Sequence, residues 1–104
     1  MEVNISKENW EQEVVNCSDT IIVDFYGTWC MPCKMLAPIV EKVAKEKNIK
    51  LAKVDIDENE ELIRKFKIMS VPTLKIFKAG KEVGSSVGLI SENRLLELLD
   101  NIDN

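Results

Sequence analysis

The pattern of apolar and polar residues along the chain predicts alternating helices and strands. Residues 21–26 form a β-branched and aromatic run that is apolar on both alternating faces, as in a central strand covered on both sides. Between Met35 and Val43 the apolar residues recur at helical spacing, which predicts a helix from the Cys30–Cys33 segment to about Lys47. Pro38 lies inside this helix and is expected to kink it. The two cysteines therefore fall at a helix N-terminus.

Shorter elements flank these two. Ser6 is predicted to cap a first helix that ends near residues 16–19, and residues 50–56 are predicted to form a second strand. Asp57, followed three residues later by Glu60, imitates a capping box and predicts another short helix. The pattern thus predicts one helix before the central strand, and a second strand and a short helix after the long helix.

The C-terminal third of the chain predicts an antiparallel hairpin and a last helix. Residues 73–77 alternate cleanly, and the Ala79-Gly80 turn leads into a partner strand over residues 81–87. Ser91 is predicted to cap the final helix, and residues 3–5 are predicted to add a short edge strand. The order predicts an α/β fold with a central mixed sheet of four to five strands flanked by four helices.

Length and charge narrow the possibilities. The chain has 104 residues, which favours a single domain over residues 1–104, and its net charge is −4 with acids and bases interleaved. Such a surface offers no basic stripe for nucleic acid. No stretch approaches the ~20 apolar residues that span a bilayer, and the start lacks the features of a signal peptide, so we expect a cytoplasmic protein with no membrane contact.

The counts of histidine and cysteine restrict the chemistry further. There is no histidine, so imidazole is excluded as a general base or metal ligand, and only three cysteines are present. Structural zinc requires four Cys or His ligands, so no metal site is expected. Covalent haem attachment is also excluded, because Lys34 follows Cys33 where that motif needs histidine. We expect no cofactor.

The Cys30-Met31-Pro32-Cys33 segment is the strongest candidate for chemistry. Disulfide exchange needs a thiolate, and a helix N-terminus stabilises one through its free N–H groups and dipole. Cys30 is predicted to be the exposed cysteine and Cys33 the shielded one, and Pro32 suits a first helical turn. Without context, a lone C-x-x-C is as often half a zinc site or a chance pair; here the composition excludes zinc, which leaves redox chemistry.

Two segments of the sequence resemble motifs of the thioredoxin family. The segment VDFYGTWCMPCK at residues 23–34 is similar to the family's V-D-F-W-A-x-W-C-G-P-C-K signature, and MSVPT at residues 69–73 resembles its cis-proline loop. The resemblance implies a thioredoxin fold and a reductase of protein disulfides that cycles between a Cys30/Cys33 dithiol and a disulfide. Two departures are Met31, where glycine is usual, and Tyr26, where many members have tryptophan.

The resemblance also implies roles for four further residues. Asp24 is implied to act, through water, as the base for Cys33, with Lys53 tuning its charge; the alternative is a hydrogen-bonded structural aspartate, and the strand pattern alone does not separate the two. Pro72 is implied to be cis and to pack against the disulfide. Val71 is implied to offer backbone hydrogen bonds to an extended target peptide.

An exposed apolar patch beside Cys30 is predicted to bind protein substrates. A tryptophan is more commonly a half-buried core residue, but the position of Trp29 next to a reactive thiol favours a docking surface. The predicted substrate-binding residues are Trp29, Met31, Pro32, Val71, Pro72, Gly88 and Leu89. Cys17 has no partner at a suitable spacing and is predicted to be an ordinary thiol.

Two other functions remain possible at this stage. An oxidase or isomerase on the same fold usually carries histidine before the second cysteine, where this chain has Pro32. A non-catalytic binding module is disfavoured because both cysteines and Asp24 are present. The expected partners are thioredoxin reductase and proteins that contain disulfides, and the expected state is a monomer. The source of electrons, NADPH through a flavin enzyme or ferredoxin, stays open.

Overall fold

One five-stranded sheet forms the centre of the molecule in the computed structural model, which describes residues 1–103. Strands β1 to β5 lie in the spatial order β1-β3-β2-β4-β5. β2 runs parallel to β3, as does β1, whereas β4 pairs antiparallel with β2 and with β5. The predicted mixed α/β sheet is confirmed with its full five strands: β1 (Glu2–Asn4), β2 (Thr20–Tyr26), β3 (Lys50–Asp55), β4 (Thr73–Lys78) and β5 (Lys81–Val87).

Four helical segments cover the two faces of the sheet. A π-helical segment (Glu11–Val15) and α2 (Glu60–Lys65) lie on one face, and α1 (Met31–Lys47) and α3 (Glu92–Asp103) lie on the other. None of the helices within residues 1–103 is both long and apolar enough to cross a membrane. The predicted number of helices is confirmed.

The alternation of β2 explains why it lies at the centre. Its side chains divide between two separate cores, with Val23 and Phe25 packing beside Trp10 and Ile22 packing beside Leu36. All of these side chains are buried, as expected for a strand covered on both faces. Asp24 shares the face of Ile22 and therefore points toward α1.

Two predicted helix caps are wrong, and one is confirmed. The Ser6 hydroxyl does not cap the first helix; instead, Asn9 Oδ1 accepts from the Ser6 N–H at 2.7 Å, and the π-helical segment begins only at Glu11. Asp57 does not cap α2, which begins at Glu60 after Asn59. Ser91 Oγ accepts a hydrogen bond from the backbone N–H of Arg94 at 3.1 Å, as a side-chain cap does.

The connection from β2 to α1 places the cysteines at the carboxyl end of a central strand. This end of a parallel strand is where open α/β sheets usually carry their sites. Gly27 lies in the connection, and a Cβ there would come within 2.8 Å of the Trp29 ring. The Trp29 indole therefore packs directly against the backbone at Gly27.

Candidate active site

Cys30 and Cys33 form a disulfide at the start of α1. Cys30 is the N-cap residue, and its Sγ accepts a hydrogen bond from the backbone N–H of Cys33 at 3.2 Å. Pro32 lies in the first turn, where its missing N–H removes no helical hydrogen bond. The prediction that the pair lies at a helix N-terminus is confirmed.

The predicted contrast in exposure between the two cysteines is wrong for the disulfide form. Cys30 is 4% exposed and Cys33 is 5% exposed, because the bridge packs each sulfur against the other and Cys30 Sγ also contacts the cis-proline loop. Their neighbours do differ. Cys30 lies between two exposed residues, Trp29 and Met31, whereas Cys33 borders a cavity that opens to the surface. The sequence could not reveal that the oxidised pair shields both sulfurs.

The cavity beside Cys33 contains an isolated carboxyl group. Its volume is about 250 Å³, and Asp24 and Lys53 also line it. Asp24 is 2% exposed, and no hydrogen-bond partner of its Oδ1 is found among the described residues. Burial raises the pKa of Asp24 from 3.8 to about 6, and the nearby ammonium of Lys53 only partly opposes this rise. The charges of Glu41 and Glu2 raise it further.

Lys53 lies next to Asp24 but does not form an ion pair with it. The two residues are partners in the register of β2 and β3. The Lys53 Nζ lies 4.8 Å from the centroid of the Tyr26 ring, and no ion pair within 4.0 Å links it to Asp24 in the described part of the chain. Burial raises the pKa of the half-buried Tyr26 hydroxyl, and the charge of Asp55 adds to this rise.

A cis-proline loop lies on the other side of the disulfide. The Val71–Pro72 peptide bond is cis, which confirms the geometry that the family resemblance implied. The carbonyl oxygen of Val71 is 3.8 Å from Cys30 Sγ. Pro72 is buried, and its carbonyl accepts from the N–H of Gly88 at 2.8 Å. This bond ties the turn after β5 to the loop that contacts the sulfur.

Exposed apolar side chains surround Cys30. Trp29 is 65% exposed, Met31 is 63% exposed and Leu89 is 44% exposed. The Trp29 indole N–H donates to Asp57 Oδ2 at 3.0 Å, which fixes the direction of the ring. An apolar groove of about 340 Å³ runs alongside, lined by Trp29, Ile56, Ile63, Ile68, Met69, Ser70 and Val71.

Comparisons with known proteins agree with this geometry. The family model described as Thioredoxin matches residues 2–101. A thioredoxin of Rickettsia bellii is 40% identical over 103 residues, covering 97% of this chain and 98% of the relative, and one of Pseudomonas aeruginosa is 36% identical over 94% and 93%. A solved structure of a mutant thioredoxin from Halobacterium salinarum superposes with a TM-score of 0.89 at 34% identity, over 99% of this chain and 91% of that one. The chain belongs to the thioredoxin family.

Thioredoxins are thiol–disulfide oxidoreductases, and the Cys30–Cys33 pair gives this member the required chemistry. The protein is a protein-disulfide reductase with disulfide-containing targets. As in other thioredoxins, a thioredoxin reductase restores the dithiol. Among residues 1–103, no group of three or more His, Cys, Asp or Glu side chains is placed to hold a metal ion.

The predicted site residues fall into two groups around the disulfide. Asp24 and Lys53 border the cavity on the Cys33 side. Of the predicted docking residues, Trp29, Met31 and Pro32 adjoin Cys30 in sequence or in its first turn and are exposed. Val71 and Gly88 are half-buried, Leu89 is exposed and Pro72 is buried. Cys17 lies apart from both groups, as a free thiol that packs against the Trp10 side of the core.

Sequence reasoning missed three residues at the site. Asp57 was assigned to a helix cap, whereas it holds the Trp29 indole. Glu41 was not singled out, although it follows Cys33 by eight residues and so lies on the same face of α1. Tyr26 was noted only as a departure from the family, although it lies two residues after Asp24 and therefore on the same face of β2.

Proposed function

We propose that Cys30 is the attacking residue and Cys33 the resolving residue of the reductase. The Cys30 thiolate attacks a target disulfide and forms a mixed disulfide, releasing one target thiolate. Cys33 then loses its proton, attacks Cys30 Sγ and releases the second target thiolate, so that the two electrons of the dithiol pass to the target. The observation that supports this order is the hydrogen bond from the Cys33 N–H to Cys30 Sγ, because it favours a negative charge on that sulfur.

Asp24 is proposed to accept the Cys33 proton through water. Both residues line the same cavity, and Asp24 Oδ1 has no hydrogen-bond partner in the described part of the chain. A base is most effective when its pKa lies near the working pH, and the pKa of Asp24 is raised to about 6. Lys53 sets the charge around this group. The structural alternative, in which the carboxylate only holds neighbouring groups by hydrogen bonds, fits poorly with an unpartnered oxygen.

Targets are proposed to bind as extended peptides across the residues around Cys30. The exposed Trp29 and Met31 would provide apolar contact area, and the backbone of Val71, whose carbonyl oxygen lies 3.8 Å from Cys30 Sγ, would pair with a strand-like segment. The remaining members of the proposed docking surface are Pro32, Pro72, Gly88 and Leu89. The bond between Trp29 and Asp57 supports this role, because a fixed ring loses less conformational freedom on binding.

Covalent trapping tests the roles of the cysteines. Cys33→Ser is expected to accumulate mixed disulfides with targets, since the attack still occurs but the resolving thiol is missing. Cys30→Ser is expected to trap none, and Cys17→Ser, which removes a thiol outside the site, is expected to behave as the parent protein. Equal yields of trapped complex from the first two variants would contradict the assignment.

We further propose that the protein acts as a monomer in the cytoplasm and does not bind nucleic acid. The net charge of −4 disfavours contact with phosphates. Sedimentation tests the oligomeric state, and cell fractionation tests the location.

The reduction potential separates a reductase from an oxidant. A value of about −270 mV would support a reductase, whereas a value of about −120 mV would indicate an oxidant.

A further inference from the structure

The position of the Lys53 ammonium is unexpected for a lysine beside a buried carboxylate. Lys53 is the register partner of Asp24 on the neighbouring strand, and both side chains line the cavity next to Cys33. The ammonium nevertheless lies over the ring of Tyr26, with Nζ 4.8 Å from the centroid, and Asp24 Oδ1 has no hydrogen-bond partner among residues 1–103.

The Tyr26 ring is the group that lies under the ammonium. Its face carries the negative side of the aromatic quadrupole and attracts a cation within about 6 Å of the centroid. Tyr26 follows Asp24 by two residues on β2, so both side chains project from the same face of that strand toward the same cavity. A single flexible lysine on β3 can reach either of them, and the structure shows it on the ring.

We propose that Tyr26 is a positioning residue for the reductase: its ring binds the Lys53 ammonium and keeps it out of a direct ion pair with the Asp24 carboxylate. This inference rests on the proposed function of Asp24 as the base for Cys33. A carboxylate locked in an ion pair is a weaker proton acceptor, whereas one with a free oxygen can receive a proton through water. The usual tryptophan of the family is replaced here by another aromatic residue, which keeps a ring face at this position.

The other charges around Asp24 stay in place when Tyr26 is changed. Glu2 on β1 and Glu41 on α1 raise the pKa of Asp24, and Lys34 on α1 also lines the cavity. Asp55 and Glu58 act on Tyr26 itself. Loss of the ring also changes the burial of Asp24, so a Lys53→Met background is needed to isolate the effect of the ammonium.

Titration of Asp24 by carboxyl ¹³C NMR in the oxidised, full-length protein tests the proposal. Tyr26→Phe keeps the ring and is expected to leave the Asp24 midpoint unchanged. Tyr26→Leu frees the ammonium to pair with Asp24 and is expected to lower the midpoint by about 1 or more in pKa, as a close opposite charge does. In a Lys53→Met background, Tyr26→Leu is expected to cause no such fall, because there is no ammonium to release.

The proposal is overturned if Tyr26→Leu leaves the midpoint unchanged or raises it, or if the fall is equally large without Lys53. Should Tyr26→Leu fail to fold, the unmodified protein still gives a test: a ring face over the ammonium shifts the Lys53 ε-methylene protons upfield, and an unshifted signal also overturns the proposal. These measurements do not depend on activity. If Asp24 is not the base for Cys33, Asp24→Asn is expected to release targets at the rate of the parent protein. That outcome would contradict the proposed function, whereas the titrations of the Tyr26 variants would still test the role of the ring.

Discussion

Neutralising Asp24 has an effect on stability that follows directly from its burial. The carboxyl is 2% exposed, and its pKa rises from 3.8 to about 6 on folding because burial disfavours the charged form. The folded protein therefore holds this proton more tightly than the unfolded chain does. As the pH rises from about 3.8 to about 6, the unfolded chain releases the proton first, and the free energy of unfolding falls.

The size of this loss follows from the same two values. Each unit of pKa corresponds to about 1.36 kcal/mol, so a rise from 3.8 to about 6 destabilises the folded protein by about 3 kcal/mol at any pH well above 6. Asp24→Asn cannot ionise and escapes this loss. We compare the free energy of unfolding of Asp24→Asn with that of the parent protein at each pH. The difference is expected to favour the variant by about 3 kcal/mol more at about pH 8 than at about pH 3.5.

Urea denaturation of the oxidised protein measures the difference, because the bridged cysteines then do not titrate. Both proteins are unfolded at both pH values, and any effect of the amide on packing is present at each pH and cancels in the comparison. Asp19→Asn, at an exposed position outside the site, serves as the matched control and is expected to follow the parent curve. Parallel pH profiles for Asp24→Asn and the parent protein would refute the reasoning.

Three further predictions test the fold. Lys67 has a φ of 54°, so Lys67→Gly is expected to relieve a left-handed strain and raise the free energy of unfolding by about 0.5–1 kcal/mol in urea denaturation. Gly80 and Gly88 both have positive φ, but only a Cβ at Gly80 would overlap the Val15 carbonyl oxygen; Gly80→Ala is therefore expected to lower the melting temperature well below that of Gly88→Ala, and equal values would contradict this. Leu36→Ala removes a fully buried side chain and is expected to lower the free energy of unfolding by about 3 kcal/mol, whereas a loss below about 1 kcal/mol would contradict its place in the core.

The regular elements could be predicted because their patterns extend over many residues. β2 is apolar on both faces, and α1 carries apolar residues at helical spacing over 17 residues, so each pattern outweighs local exceptions such as Pro38. The short helices were harder. Ser6 and Asp57 are both suitable capping residues, but a side-chain cap is one local hydrogen bond, and other contacts took precedence at both positions.

The candidate site was only partly predictable for the same reason. The C-x-x-C spacing and the helix that follows are local features, so the sequence placed the disulfide correctly. The contact between Trp29 and Asp57 joins residues 28 positions apart, and no periodicity encodes it. The choice of Lys53 between Asp24 and Tyr26 depends on where a flexible side chain settles in three dimensions, which strand patterns leave undetermined.

The location of both sulfurs within one turn of a single helix has a mechanical consequence. The bridge joins the sulfurs of residues three positions apart at the start of α1. Cys30 Sγ also accepts a hydrogen bond from the Cys33 N–H in the first turn of that helix. No second strand or helix has to travel when electrons are delivered. The bridge can thus open and close without a rearrangement of the strands and helices that carry the residues around Cys30.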